Sequence, residues 1–342
     1  MRTAAAPDLG AVRRLQGAAT SVVQDAEWLE SCAAVFAEPR RTRVVAVDGA
    51  VAVLAHGGPR APWWEVPGAV EVTEPVDVLA ADADAAARLA EALAAQALPL
   101  MLRRVPRDSP VVDALERAYG PRAVRVRRDG PGTPYVDLAG LDAPDAVLNP
   151  GRRSDLRRAR RRAEALGPLG AQVHAPGPGE VDALLDAALA VELRSWKAPA
   201  GTALLRDPVR EGFYRRYARA AAGAGVLRVA LLHVGDDLAA MQLAVERHGA
   251  LWLLKIGYDE AFARVSPGQL LLAEVIGWSL GRGLERVEML GQEEAWTRVW
   301  TPHVRPHVQL GLFPRSSRGL AALGVGAAQQ TRRRVSDRLA RG

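Results

Sequence analysis

The segment Leu251–Gly283, LWLLKIGYDEAFARVSPGQLLLAEVIGWSLGRG, leaves the chain little freedom in how it folds. Its apolar start reads as a buried strand, its middle as a loop closing on Ser266-Pro267-Gly268, and its end as a long apolar helix. Ser266 suits the N-cap, and Pro267 suits the first helical position, where a missing N–H costs nothing. Gly268 and Gln269 follow with free main-chain N–H groups, and at the glycine no Cβ blocks approach. Unpaired amides and the positive end of the helix dipole then face one point, a binding site for an anionic oxygen group. The segment therefore predicts a phosphate-bearing ligand between a strand and a helix. On these four residues alone, a plain capped helix is the simpler reading.

The length favours two medium domains over one large one. The single cysteine, Cys32, excludes a disulfide framework and reads as a buried filler in an apolar helical pattern. No apolar run is long enough to span a bilayer and no signal peptide is legible, so a soluble cytoplasmic protein is expected. The net charge of +6 comes almost wholly from arginine, since lysine occurs only at Lys197 and Lys255. Arginines cluster at Arg152–Arg162 and in the tail Arg332-Arg333-Arg334, Arg338, Arg341. In the first cluster Leu156, Ala159 and Ala163 recur at helical spacing, with Leu166 a turn later. This predicts one buried stripe and a broad arginine face, solvated or in contact with phosphates.

Residues 1–20 read as weakly ordered. The first half is mixed: a helix at 25–37, a hairpin around Asp48-Gly49, a loop at 59–67, and a helix at 82–97 followed by a buried strand. Ser109 and Pro110 open another helix. Strands at 122–127 and 135–138 are expected to flank a Gly130–Pro134 turn. The stretch 142–150, with Pro144 and Pro150, reads as the junction. After it come the basic helix, a strand at 172–174, helices at 180–195 and 208–222, and three strands at 226–234, 238–246 and 251–256. Tight turns make these three an antiparallel meander. The helix from Pro267 leads to a strand at 286–290, a last strand at 307–313 and an arginine-rich C-terminal helix.

From Gly151 to Phe313 this order resembles the C-terminal half of GNAT-like acyltransferases of the cellulose-biosynthesis (CelD/BcsL) type. These are relatives of the Fem aminoacyltransferases that build peptidoglycan cross-bridges. The resemblance rests on the basic helix, Ser195-Trp196-Lys197, Phe213-Tyr214, the Gly235-Asp236-Asp237 turn, Tyr258-Asp259-Glu260, Ser266-Pro267-Gly268 and the Gly291…Trp300 block. It implies an α/β (mixed α+β) fold of tandem GNAT-like domains, each a mostly antiparallel sheet flanked by helices. A degenerate copy would span 1–145, the acyltransferase domain 150–315 and a basic tail 316–342. It also implies two strands splaying where the helix starts, with a slot there for a pantetheine arm. The implied donor is acyl-CoA (acetyl-CoA) and the acceptor an amine or hydroxyl of a small molecule or glycan, attacked directly and without metal. Aminoacyl-tRNA as donor and an inert binding protein on the same fold are the alternatives. One departure bears on the acceptor. Relatives often carry a Tyr-Lys pair shortly before the final tryptophan; here Trp296-Thr297 stands there and Arg298 follows, which argues against a peptidoglycan precursor.

For the donor phosphates the candidates are Ser266, the amides of Gly268, Gln269, Leu270 and Leu271, and the Arg264 guanidinium, itself equally readable as a loop charge. For the base they are Asp259, alternatively a turn-forming residue, and Glu288, alternatively the outward position of an alternating strand. Glu288 between Val287 and Met289 is expected in an apolar setting that raises its pKa. Trp196, Tyr214, Tyr217, Trp252 and Tyr258 could line an acceptor cleft or serve as core, with Trp196 preferred for the cleft, and Arg298 could meet an anionic donor or acceptor. His233 reads as a core or edge histidine of a strand, and the spacing of His303 and His307 does not match a metal site.

Overall fold

The structure, a computed structural model, describes residues 9–37, 41–58 and 60–339. Residues 1–8, 38–40 and 340–342, with Arg341 among them, lie outside the described residues, as do Pro59 and the side chains of Arg333, Arg334 and Arg338. From Leu9 on, the segment expected to be weakly ordered is partly helical, in α1 (Gly10–Arg14) and a 3-10 turn at Gln16–Ala18.

The chain divides into two compact units, Met1–Pro131 with Pro306–Gly342, and Gly132–Arg305. Each is a mostly antiparallel sheet flanked by helices. The first unit contains α2 (Ala26–Phe36), the hairpin of β1 (Thr42–Val47) and β2 (Ala50–His56), the short β3 (Trp64–Glu65) and β4 (Leu79–Ala80), then α3 (Ala83–Ala95), β5 (Leu100–Pro106) and α4 (Pro110–Tyr119). Trp64 therefore joins the sheet, where a loop was expected, and pairs with His56. Neighbouring strands run β1-β2-β3-β5, with β12 (Val304–Pro314) beyond β5. The helix α9 (Ser317–Leu339) closes the chain. Cys32 is fully buried in this unit, and burial pushes its thiol pKa well up, so it behaves as an inert packing residue.

A single strand, β6 (Ala123–Asp137), replaces the two strands and turn expected at 122–138. Gly130, Pro131, Gly132 and Pro134 are turn formers by local preference, but none is barred from extended backbone. The reason lies across the chain: a Cβ on Gly132 would meet Val304 Cγ1 at 2.4 Å and the Arg305 oxygen at 2.8 Å. The glycine permits a close strand approach, which is the other use of such a residue.

The second unit positions the site. Its helices are α5 (Pro150–Glu164), α6 (Val181–Leu193), α7 (Pro208–Gly223) and α8 (Pro267–Gly281); its strands are β7 (Leu169–His174), β8 (Leu227–Val234), β9 (Asp237–Arg247), β10 (Ala250–Tyr258) and β11 (Arg286–Glu288). Neighbours run β6-β11-β10-β9-β8-β7. The meander β8-β9-β10 is antiparallel as its tight turns require. Leu270, Leu271, Leu272, Val275 and Ile276 of α8 are all buried, and side chains this close in sequence point around the whole helix. They pack with sheet residues such as Leu251, Leu253 and Val287 and with Ala159 and Ala163 of α5. At about 1.5–3 kcal/mol for each large apolar side chain, this burial fixes where α8 starts. Asn149 caps α5 by accepting from the Arg152 N–H at 2.9 Å. The predicted stripe of Leu156, Ala159 and Ala163 faces this core, but Leu166 is 63% exposed because α5 ends before reaching it.

Candidate active site

Strands β10 and β11 are parallel and pair over three residues only, Ala250↔Arg286, Leu251↔Val287 and Trp252↔Glu288. Beyond Trp252, β10 runs on to Tyr258 against β9, with a register shift between Leu253 and Lys255. Strand β11 stops at Glu288, and the chain leaves the sheet through Leu290 and Gly291, at φ 49° and 53°. Leucine in that left-handed region costs roughly 1–2 kcal/mol, which its burial must offset. The strands thus part near the start of α8.

The opening is a slot of about 310 Å³. Ile256, Gly257 and Tyr258 of β10, Met241 and Gln242 of β9, and Gly268 and Leu272 of α8 line it. Trp196, Glu294 and Trp296 complete the lining. The Trp196 and Tyr258 rings lie 4.9 Å apart. Burial, and then the Glu260 carboxylate beside it, raise the Tyr258 phenol pKa, so its hydroxyl stays protonated at neutral pH. Glu294 accepts from Trp296 Nε1 at 2.9 Å.

A second cavity, about 530 Å³, shares Ser266, Gln269 and Trp296 with the slot. Its lining includes Arg152, Arg158 and Arg162 of α5 together with Arg264. Asp155, placed among them, bonds Arg158 at 3.1 Å. A mostly cationic chamber therefore adjoins the slot, whose one charged lining residue is Glu294, at the turn before α8.

That turn differs in detail from the expected cap. Ser266 is left-handed, at φ 50° and ψ 52°, and its side chain caps nothing. Its carbonyl accepts from Gln269 N at 3.0 Å and Leu270 N at 3.2 Å. Leu270 and Leu271 are buried in the core. Among the described residues only Gly268, of the amides expected to face a donor, has no backbone acceptor at this turn. The Gln269 side chain accepts from Trp300 Nε1 at 2.5 Å, which ties the helix start to the turn at Thr297–Val299.

The remaining candidates are placed unevenly. Trp196, Tyr258, Ser266, Gly268 and Gln269 meet in the slot, and Arg264 lines the chamber. Tyr214 is buried with Phe213 and Tyr217, and Lys255 lies over its ring at 4.7 Å, so it belongs to the core and not to the slot. Trp252 is also core. Arg298 pairs with Glu293 at 2.7 Å on the surface. Asp259 accepts from Arg194 Nε at 2.5 Å and from Ala261 N at 2.9 Å, so both its oxygens hold the turn after β10. Glu288 is buried, but the apolar setting expected for it is absent: Arg305 donates to it at 2.8 Å and Arg286 Nε lies 3.4 Å away. Two residues of the slot escaped the sequence reading. Gln242 was legible as the lone polar residue in the run Ala239–Val245; Glu294 sits in a polar loop and carries no such signal.

Residues 150–298 match the family model described as an acetyltransferase (GNAT) domain. This segment is a GNAT-type acetyltransferase domain, and the chain is an enzyme of the N-acyltransferase type. Among solved structures the chain is similar to L-PGS from Bacillus licheniformis, with 14% identity, coverage of 95% of this chain and 98% of that one, and a TM-score of 0.60. It is also similar to FemX, with 10% identity, coverage of 92% and 97%, and a TM-score of 0.57. A conserved protein of unknown function from Bacteroides thetaiotaomicron gives 13% identity, 84% and 89% coverage, and a TM-score of 0.54. At these identities the likeness is one of fold. No curated protein matches the chain. Among the described residues no helix is long and apolar enough to cross a membrane, and no group of three or more His, Cys, Asp or Glu could hold a metal.

Proposed function

We propose that the chain transfers an acyl group from acyl-CoA to an amine or hydroxyl of a small molecule or glycan, by direct attack on the thioester. The observation that carries this reading is the slot adjoining, at Ser266, Gln269 and Trp296, a chamber lined by four arginines. A phosphate-bearing carrier fits that division: its anionic end lies against Arg152, Arg158, Arg162 and Arg264, and its acyl arm enters the slot past Gly268. The attacking group must lose a proton, and Glu294 is the carboxylate that lines the slot. Asp259 and Glu288, tied to arginines, serve better as positioning residues for the ends of β10 and β11 than as bases. Glu294→Gln, which can still accept from Trp296, should lower kcat about 100-fold or more with donor affinity unchanged; an unaltered kcat would remove Glu294 from this role.

A second reading, aminoacyl-tRNA as donor, is favoured by one observation: α5 exposes Arg157 and Arg161 as well as the chamber arginines, a wider cationic face than a CoA needs. The two are separated by titrating acetyl-CoA and aminoacyl-tRNA into the wild type and an Arg152→Gln/Arg158→Gln/Arg162→Gln variant at several salt concentrations. With CoA as carrier, the variant should bind it about tenfold or more weakly, and tRNA should bind feebly to both proteins. With tRNA as carrier, affinity should fall steeply with salt, and the slope should shrink by roughly 2–3 in the variant. Absence of binding by both carriers would refute the proposal.

A further inference from the structure

The slot contains a buried polar group that the fold leaves unused. Gln242 lies within β9, the residue is 3% exposed, and its buried Oε1 has no hydrogen-bond partner. Roughly nine in ten buried polar atoms have a partner. Leaving one without costs about 1–3 kcal/mol, more than a strand position with no task would carry. The neighbours on the same face of β9, Ala240 and Ala244, are apolar and buried, so leucine or methionine would serve packing at least as well.

The position says which part of a ligand would meet it. Ser266, Gln269 and Trp296 line both the slot and the arginine chamber and so stand between them. Gln242 lines the slot and not the chamber. A carrier with its phosphates in the chamber reaches Gln242 with its far end, the acyl group. A bare acetyl group has no N–H or O–H to offer the Gln242 oxygen, and it would fill little of a 310 Å³ slot.

We propose that the acyl group transferred here carries an N–H or O–H donor, as in a hydroxyacyl or aminoacyl group, and that Gln242 Oε1 selects it by accepting that hydrogen. The inference rests on the slot being the seat of the carrier's arm. A site built around one buried hydrogen bond discriminates strongly against an analogue lacking it, because the analogue leaves the orphan acceptor unpaired while the matching acyl group pairs it.

The test uses a matched acyl pair, propionyl and 2-hydroxypropionyl, each carried on CoA and on the 3′ end of a tRNA. Binding is read from the tryptophan fluorescence of the slot in the wild type and in Gln242→Leu. On whichever carrier binds, the hydroxyacyl form should bind the wild type about tenfold or more tightly than the propionyl form. Gln242→Leu should abolish or reverse that preference and leave affinity for the free carrier within about twofold. Equal affinity of the wild type for the pair would overturn the inference. A carrier that fails to bind removes itself from the donor reading, while the acyl pair on the other carrier still tests Gln242; failure of both carriers overturns both proposals. Thermal melting supplies the second readout. Gln242→Leu should melt no lower than the wild type, whereas a melt several degrees lower would assign the carboxamide to the fold and sink the inference.

Discussion

Lys197→Met is expected to destabilise the protein by about 3–5 kcal/mol, read from urea unfolding of the full chain. Glu192 is 1% exposed, and both its oxygens are in use: Oε1 accepts from Lys197 Nζ at 2.8 Å and Oε2 from Leu204 N at 2.9 Å. The same ammonium donates to the Ile256 carbonyl at 2.6 Å. Methionine would fill the space and leave a buried carboxylate without its cation and a strand carbonyl without a donor. The loss should be largely recovered in Lys197→Met/Glu192→Gln, since a neutral amide keeps the Leu204 bond and needs no counter-charge. The cycle of single and double variants isolates the pair. A cost of less than about 1 kcal/mol for Lys197→Met would mean that water reaches the pair and that it does not hold this corner together. The corner matters to function because it fastens the end of α6 to the splayed half of β10. A Cβ on Gly257 would lie 3.1 Å from Glu192 Cα, so the helix and strand touch there at backbone distance.

Gly268→Leu should abolish carrier binding, with a loss of about 100-fold or more, and leave the melting temperature near that of the wild type. Leucine keeps the main-chain N–H, but its side chain would fill the slot beside Leu272 and Tyr258 and bar the carrier's arm from it, and 100-fold in affinity corresponds to about 2.7 kcal/mol. Space for a first carbon exists, since a Cβ at 268 meets only Tyr258 Cδ1, at 3.4 Å. Gly268→Ala should therefore fold normally and bind with an intermediate loss. Undiminished affinity in Gly268→Leu would show that the carrier does not pass this turn.

The parts of this fold that were legible in the sequence are those set by local pattern. Tight turns defined the meander, the Leu156, Ala159 and Ala163 spacing defined the inner face of α5, and Ser266-Pro267-Gly268 marked the start of α8. What was not legible depends on distant partners. Gly132 reads as a turn residue until Val304 and Arg305 are brought against it. Glu288 reads as an isolated carboxylate until Arg305, seventeen residues on, is placed beside it. Tyr214 on α7 has the same spacing whether it faces a core or a cleft, and only burial decides. The slot was legible as a helix start, but its amide count was not, because the left-handed Ser266 turns its own carbonyl onto Gln269 and Leu270. Gln242 was readable in principle, as one carboxamide in a run of alanine, methionine, leucine and valine.

The central claim is that the carrier passes the α8 turn, its anionic end in the arginine chamber and its acyl arm in the slot beside the Gly268 N–H. Glycine-selective ¹⁵N labelling tests it directly, with the Gly268 resonance assigned by its loss in Gly268→Ala. Titration with the carrier that binds should move the Gly268 amide proton downfield while Gly223 and Gly281, at the far ends of α7 and α8, stay in place. A saturated complex in which Gly268 does not move would contradict the account.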